Sequence, residues 1–319
     1  MVCMRIVVVA GGVGGARFLL GVRAAAPDAT ITAVVNTGDD VTMHGLRICP
    51  DLDSVMYTLG DGTDPVRGWG RRDETWVVKD ELAAYGADPT WFGLGDRDLA
   101  THLVRTRMLD AGYPLSEVTA ALAQRWQPGV DLVPMSDQRV ETHVVVDDPA
   151  TGRRQAIHFQ EWWVRHRAAP EPHAFVQVGV EDARPAPGVV EAFAGADAVL
   201  LAPSNPVVSI GTVLGVPGLR EALLATPSRI VGLSPIVGDA PVRGMADRCL
   251  PAVGVQVSAE GVGRHYGARS DGGLLDAWVV HEGDTADVPG VDVRTVPLLM
   301  TDLAATQAMA QAALHAARA

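Results

Sequence analysis

Apolar residues run unbroken from Ile6 to Ala10, give way to glycine, and resume as Ala16, Phe18, Leu19, Leu20 and Val22. The first run is β-branched and predicts a buried strand over Arg5–Val9. The second is alanine-rich and predicts a helix over Arg17–Ala25. Thr30–Val35 is a second strand-like run, so this segment is a βαβ unit whose crossover makes its strands parallel. The pattern returns later, with strands expected at Asp197–Leu201, Arg229–Leu233, Leu275–Val280 and Val291–Val296. A helix over Leu219–Leu224 separates the first two, and an alanine-rich helix runs from Ala304 to the end. The expected fold class is α/β: a Rossmann-like parallel sheet flanked by helices.

Between residues 61 and 175 the character changes. Six of the seven tryptophans fall there: Trp69, Trp76, Trp91, Trp126, Trp162 and Trp163. Asp96 is placed to cap a helix with Leu99, Leu103, Val104 and Met108 on one side and Gly112 as its stop. Ser116 can cap a second helix reaching Trp126. Glu141–Val146 and Gln155–Trp163 read as two strands joined by a turn over Pro149–Gly152. The expected organisation is a nucleotide-binding core of residues 1–60 and 176–319. A tryptophan-rich, mixed α+β insertion of residues 61–175 would cover the sheet edge.

The polar loops fall after the predicted strands. Gly11, Gly12, Gly14 and Gly15 crowd the turn between the first strand and its helix, where glycine lets the backbone approach a ligand and the helix amino terminus attracts an anion. The loop lacks the Gly-Lys-Ser/Thr ending of a P-loop, and the third glycine of a dinucleotide fingerprint would fall at Arg17. A plain tight turn remains the other reading. Asn36-Thr37-Gly38-Asp39-Asp40 follows the second strand, Ser204-Asn205-Pro206 a later one, and Ser234 through Asp247 the next. In an open parallel sheet these carboxyl ends share one edge, so loops distant in sequence converge.

Asp39, Asp40, Asp51 and Asp53 would bring four carboxylates beside that edge, the oxygen-rich environment Mg²⁺ prefers. In Asp51-Leu52-Asp53 both side chains share a face if the backbone is extended; each aspartate alone reads equally well as a turn or helix cap. Asn205 and Ser209 could bond a nucleobase or phosphate, or only satisfy a turn. Among Arg71, Arg72, Arg97 and Arg105, Arg97 is the one expected to turn inward. No Ser-His-Asp or Cys-His arrangement stands out, and the histidines read as structural.

Composition narrows the partners. The chain has 319 residues, 48% apolar and 20% charged, with a formal charge of −12. That acidity argues against nucleic acid and anionic membranes, which attract basic surfaces. Three separated cysteines suggest neither a disulfide framework nor a zinc site. No apolar stretch is long enough to span a bilayer, and no cleavable-signal pattern is visible. A cytoplasmic protein is expected.

The motifs taken in order resemble a known family. Gly11-Gly12-Val13-Gly14-Gly15-Ala16-Arg17, Val35-Asn36-Thr37-Gly38-Asp39-Asp40, Pro50-Asp51-Leu52-Asp53, Leu94 through His102, His158-Phe159-Gln160-Glu161-Trp162-Trp163 and Ala202-Pro203-Ser204-Asn205-Pro206 are similar to those of the 2-phospho-L-lactate transferases of coenzyme F-420 biosynthesis. The resemblance is greatest to the actinobacterial branch, which uses phosphoenolpyruvate. It implies transfer from a guanosine diphospho-linked three-carbon acid to the ribityl hydroxyl of the deazaflavin Fo, with release of GMP. On that basis Gly11, Gly12, Gly14, Gly15, Arg17, Asn36, Ser204, Asn205 and Ser209 are expected to bind the nucleotide and diphosphate. Asp39 and Asp53 are the expected catalytic residues, Asp53 and Arg97 the expected Fo contacts, and Asp39, Asp40, Asp51 and Asp53 the expected Mg²⁺ ligands. A homodimer is expected. Two other classes stay open: a nucleotide-sugar-binding regulatory protein of related fold without turnover, and a nicotinamide oxidoreductase. Asn36 weakens the second, because it stands where a ribose-binding acid belongs.

Overall fold

Strand Arg5–Ala10 (β1) points Ile6, Val8 and Ala10 to one face and Val7 and Val9 to the other, and both sets are buried. A strand's period of two meets apolar cover on each side, as in a sheet sandwiched between helices. In the computed structural model, which describes residues 3–318, β1 is one of seven parallel strands. The others are Thr30–Val35 (β2), Asp131–Pro134 (β3), Ala198–Leu201 (β4), Ile230–Leu233 (β5), Ala277–His281 (β6) and Asp292–Val296 (β7). Across the sheet they run β7-β6-β5-β4-β1-β2-β3. The order reverses between β1 and β4, which opens a crevice outside their carboxyl ends. The expected Rossmann-like sheet is therefore present.

Helix α1 (Gly12–Ala25) and helix α2 (Pro50–Leu59) cover one face together with the closing helix Leu303–Ala316. At Gly21 a side chain would meet Thr306 O at 2.3 Å, so glycine lets α1 and the closing helix touch. Val189, Phe193, Leu219, Leu223, Val262 and Trp278 fill the other face. Trp278, the one tryptophan outside residues 61–175, is core, with Nε1 donating to Ala259 O at 3.0 Å.

Several local expectations change. Asp131–Pro134 lies within residues 61–175 yet pairs with β2 in the main sheet, so that stretch is not wholly an addition to it. The strand expected over Gln155–Trp163 ends at His158, and Glu161–Arg165 forms one wide helical turn that buries Trp162. Glu141–Asp147 pairs with Arg154–His158 and Ala174–Val178 in a separate antiparallel sheet. Ser116 lies inside helix Leu115–Trp126, and Asp137 accepts from its N–H at 2.6 Å and its hydroxyl at 3.0 Å.

Helix α3 (Asp96–Asp110) is present, but Asp96 does not cap it. Asp96 accepts from Thr75 Oγ1 and from the Val77 and Val78 N–H groups, capping the neighbouring helix Val77–Ala84. Glu74 in return accepts from the Arg97 and Asp98 N–H groups. The buried face of α3 is Leu99, Thr101, His102 and Arg105, while Leu103 and Val104 are exposed. A polar stripe faces inward because buried carboxylates wait for it.

Candidate active site

The crevice between β1 and β4 is lined by the glycine loop and by Ser204. Ser204 Oγ accepts from Gly11 N at 3.1 Å and donates to Gly11 O at 2.8 Å, latching the two loops together. Each glycine has its own reason. A side chain at Gly11 would strike Ser209 Cβ at 2.7 Å and Asp51 Oδ2 at 2.9 Å, and one at Gly15 would strike Ala10 Cβ and Ser204 Oγ. Gly14 lies against Pro203 O, and Gly12 has φ of +64°. Gly11 supplies no side-chain cap to α1. Ser204 takes the Gly11 N–H and Asp51 the Gly12 N–H. The next N–H groups of the first turn, with the positive dipole end, remain available to an anion.

Asn36 organises the acidic side of this crevice. Its Oδ1 accepts from Gly38 N at 2.9 Å, which sets the amide's orientation. Its Nδ2 then faces Asp51 Oδ2 at 2.9 Å, Asp39 Oδ1 at 3.3 Å and Val208 O at 3.3 Å. Asp39 and Asp51 are both buried, and one neutral amide is a weak counterweight to two carboxylates. Burial, with the neighbouring Asp51 charge next, raises the Asp39 pKa well above the carboxylate range. Burial likewise pushes Asp51 up to about 6, against the bonds from Asn36 and Gly12 N–H. A pair of buried carboxylates short of positive charge, beside an anion-binding loop, fits a divalent cation.

Asp40 lies just behind this pair. Its Oδ2 meets Arg47 Nη2 at 3.1 Å and accepts from Cys49 Sγ at 2.9 Å, while Oδ1 has no partner. Burial raises Asp40 to about 6, opposed first by Arg47. Burial also raises the Cys49 thiol, which makes it a poor nucleophile.

Asp51 and Asp53 do not share a face. Both sit in the first turn of α2, where residues two apart point about 200° away from one another. Asp53 faces α3 and is gripped at both oxygens by Arg105, with Oδ2 3.1 Å from Nη1. Burial opposes the Arg105 charge, but Asp53 outweighs it and the guanidinium pKa rises. Arg105 Nη1 also donates to His102 Nδ1 at 3.1 Å, which leaves the ring proton on Nε2, 3.4 Å from Asp98 Oδ2. Tyr57 donates to Asp98 Oδ1 at 2.6 Å. Asp53, Asp98 and His102 present atoms within 4.8 Å of one another and so could hold a cation. Arg105 already supplies that positive charge and occupies the His102 lone pair, so Asp39 and Asp51 are the better-suited pair.

Of the arginines weighed in the sequence, Arg105 and Arg71 turn inward, with Arg105 alone gripping a carboxylate of this cluster; Arg97 is exposed. Residue 97 lies off the buried stripe of α3, and its carbonyl instead accepts from Arg71 Nη1 at 2.7 Å. Asp98, His102 and Arg105 at spacing i, i+4, i+7 were the signal for the buried face. Asn205 caps the short turn Pro206–Ile210, accepting from the Val207 and Val208 N–H groups, and its Nδ2 meets Cys249 Sγ. Ser209 is buried against Gly11. Arg17 extends from α1 to the turn around Gly68.

The tryptophans divide. Trp162 is fully buried and donates to Pro170 O at 2.9 Å, and Trp126 packs on Tyr57 beneath Arg71. Trp69, Trp76 and Trp163 keep exposed surface, the first two flanking the Arg67 guanidinium.

Residues 6–294, which span this whole arrangement, match the family described as 2-phospho-L-lactate transferase CofD. The chain belongs to that family. A phosphoenolpyruvate transferase of Nocardia farcinica is 64% identical over 314 residues, covering 98% of this chain and 95% of that protein. One from Mycolicibacterium smegmatis is 61% identical over 323 residues, covering 98% and 99%. A solved Bacillus halodurans structure of the UPF0052 family superposes with a TM-score of 0.63 at 16% identity, covering 98% of this chain and 99% of that one; it shares the fold. The CofD family is one of transferases, and among the described residues no helix is long and apolar enough to cross a membrane.

Proposed function

We propose that this chain transfers a phosphoenolpyruvyl group from a guanosine diphospho-linked donor to the ribityl hydroxyl of Fo, releasing GMP, in coenzyme F-420 biosynthesis. The observation that carries this reading is the glycine-rich amino terminus of α1 lying directly beside the Asp39–Asp51 pair at the switch-point crevice. The identity to relatives named phosphoenolpyruvate transferases favours phosphoenolpyruvate over phospholactate.

The chemistry is displacement at phosphorus. The Fo hydroxyl oxygen bonds to the phosphorus that carries the three-carbon acid. The bond from that phosphorus to the bridging oxygen breaks, its electron pair leaves with GMP, and the hydroxyl proton passes to solvent water. Such transfers depend mainly on positioning and charge neutralisation. The first-turn amides of α1 beyond Gly12, those of Val13 and Gly14, would hold the diphosphate. Gly11, Gly12 and Gly15 let it approach closely, and Ser204 and Ser209 keep the loop in place. Asn36 aligns Asp39 and Asp51, which would hold Mg²⁺; Asp40, engaged by Arg47 and Cys49, and Asp53, engaged by Arg105, stand outside that pair. Bound there, the ion spreads negative charge on the reacting phosphates. Asp53, fixed by Arg105, accepts from the Fo hydroxyl and orients it. Trp69, Trp76 and Trp163 offer aromatic surface to the flat ring, and Arg97 lies exposed to meet its polar edge. We place the enzyme in the cytoplasm as a homodimer.

The test is direct. Protein supplied with Mg²⁺, Fo and the donor should yield the coupled product and GMP in equal amounts by mass spectrometry. GDP binding without any product would instead leave a nucleotide-binding protein without turnover.

A further inference from the structure

Two arginines approach one another with no carboxylate between them. The turn around Gly68 is built by Asp64, which accepts from the Val66 and Arg67 N–H groups at 2.9 Å each, and whose carbonyl accepts from Gly68 N. Gly68 has φ of +72° and is buried. A Cβ there would lie 2.8 Å from Arg243 Nη1 and 3.5 Å from Arg17 Nη2, so both guanidiniums close on the same point. Arg67, beside them, is paired with Asp64 at 3.0 Å and donates to Arg71 O at 2.7 Å. Among the described residues, Arg17 and Arg243 have no ion-pair partner within 4.0 Å; like charges brought together this way repel unless an anion joins them. Partial burial and then the Arg243 charge lower the Arg17 pKa, the direction that repulsion dictates.

Their position indicates which anion. Arg17 is on α1 five residues beyond Gly12, and helical side chains lean toward the amino terminus. Arg243 comes from the loop after β5, and Gly68 from the tryptophan-bearing segment, with Trp163 within 3.5 Å of where a side chain on Gly244 would lie. The arginines therefore stand between the glycine loop and the proposed acceptor side. A guanosine diphospho-linked three-carbon acid carries one further anion, its carboxylate. Paired planar guanidiniums match that group.

We propose that Arg17 and Arg243 form a clamp for the carboxylate of the donor's three-carbon acid, making Arg243 a specificity-determining residue. This rests on the function proposed above. The test uses GDP and two esters on its β-phosphate, one of 2-hydroxypropanoate and one of isopropanol, which replaces only the carboxylate by methyl. Binding is read by calorimetry with Mg²⁺ on the full chain, alongside melting temperatures. The wild-type protein should favour the acid ester about tenfold or more, the scale of a charge-assisted pair. Arg243→Gln should bring that preference to within about twofold while GDP binds as before, and Arg243→Lys should keep part of it. A full preference in folded Arg243→Gln, or an equal loss for GDP and both esters, would overturn the clamp. Absence of GDP binding to the wild-type protein would instead remove the reading beneath it.

Discussion

Asp51 and Asp53 are separated by one residue, yet they belong to opposite electrostatic settings. Asp51 joins Asp39 around a single neutral amide, without a cation. Asp53 lies against Arg105, with His102 and Asp98 behind it. One helical turn divides a cluster that reads as four equivalent acids into two. The first has a deficit of positive charge that a ligand can fill; the second is neutralised from within the chain. Buried charges persist only when something answers them, so the first group depends on what binds and the second on what folds.

The sharpest way to break the comparison is Arg105→Ala. It leaves Asp53 buried without its counter-charge, which costs about 3–5 kcal/mol. Chemical denaturation should show a loss of that size, or a protein that does not accumulate folded. Arg105→Ala with wild-type stability would mean the second group is not held by its ion pair. The matching change in the first group should behave oppositely. Asp51→Asn removes a charge that nothing in the chain compensates, so folding should be unharmed while turnover falls roughly 10²-fold. Mg²⁺ should raise the melting temperature of the wild-type protein and not of Asp39→Asn or Asp51→Asn, and excess EDTA should abolish turnover. Full activity in EDTA would return these aspartates to a structural role.

The contrast also marks where sequence reading stops. The strands of the parallel sheet and their glycine and aspartate loops are legible because β-branched runs and turn residues are local signals, and the loops converge through topology alone. Asp131–Pro134 escapes because four residues carry little pattern, and only β2 assigns them to the sheet. Asp96 has the composition of a cap for α3, but serves a different helix that is closer in space than in sequence. On α3 the apolar residues suggest a buried face through Leu103 and Val104. Burial instead follows His102 and Arg105, because an ion pair can override hydrophobic patterning when its partner, Asp53, lies on another element. Pairings between elements are what a one-dimensional pattern does not contain.

Smaller effects sharpen the first group further. Gly12 has φ of +64° and open space beside it, with Asp51 Oδ1 at 4.0 Å from a built Cβ. Gly12→Ala therefore strains the backbone by about 1–2 kcal/mol without a collision and shifts the amides that face the anion. GDP should bind about tenfold more weakly, with the Mg²⁺-induced rise in melting temperature retained. Unchanged GDP affinity would separate the glycine loop from the diphosphate.

The smallest expected effect belongs to Asp98, at the outer edge of the second group. Burial pushes its pKa up, but the His102 N–H, the Tyr57 hydroxyl and the Arg105 charge outweigh this, and the net shift is downward. A folded-state pKa below the unfolded one stabilises the protein above the ordinary carboxylate range. That contribution disappears as pH falls through the folded value. Asp98→Asn should accordingly cost about 1–3 kcal/mol at neutral pH, the worth of a charge-assisted bond. The difference between wild-type and Asp98→Asn stability should be flat from about pH 7 to pH 5 and shrink below about pH 4. Denaturation midpoints measured across that range give the answer. A difference that grows on acidification would reverse the sign, and with it the conclusion that this group is neutralised by its own chain.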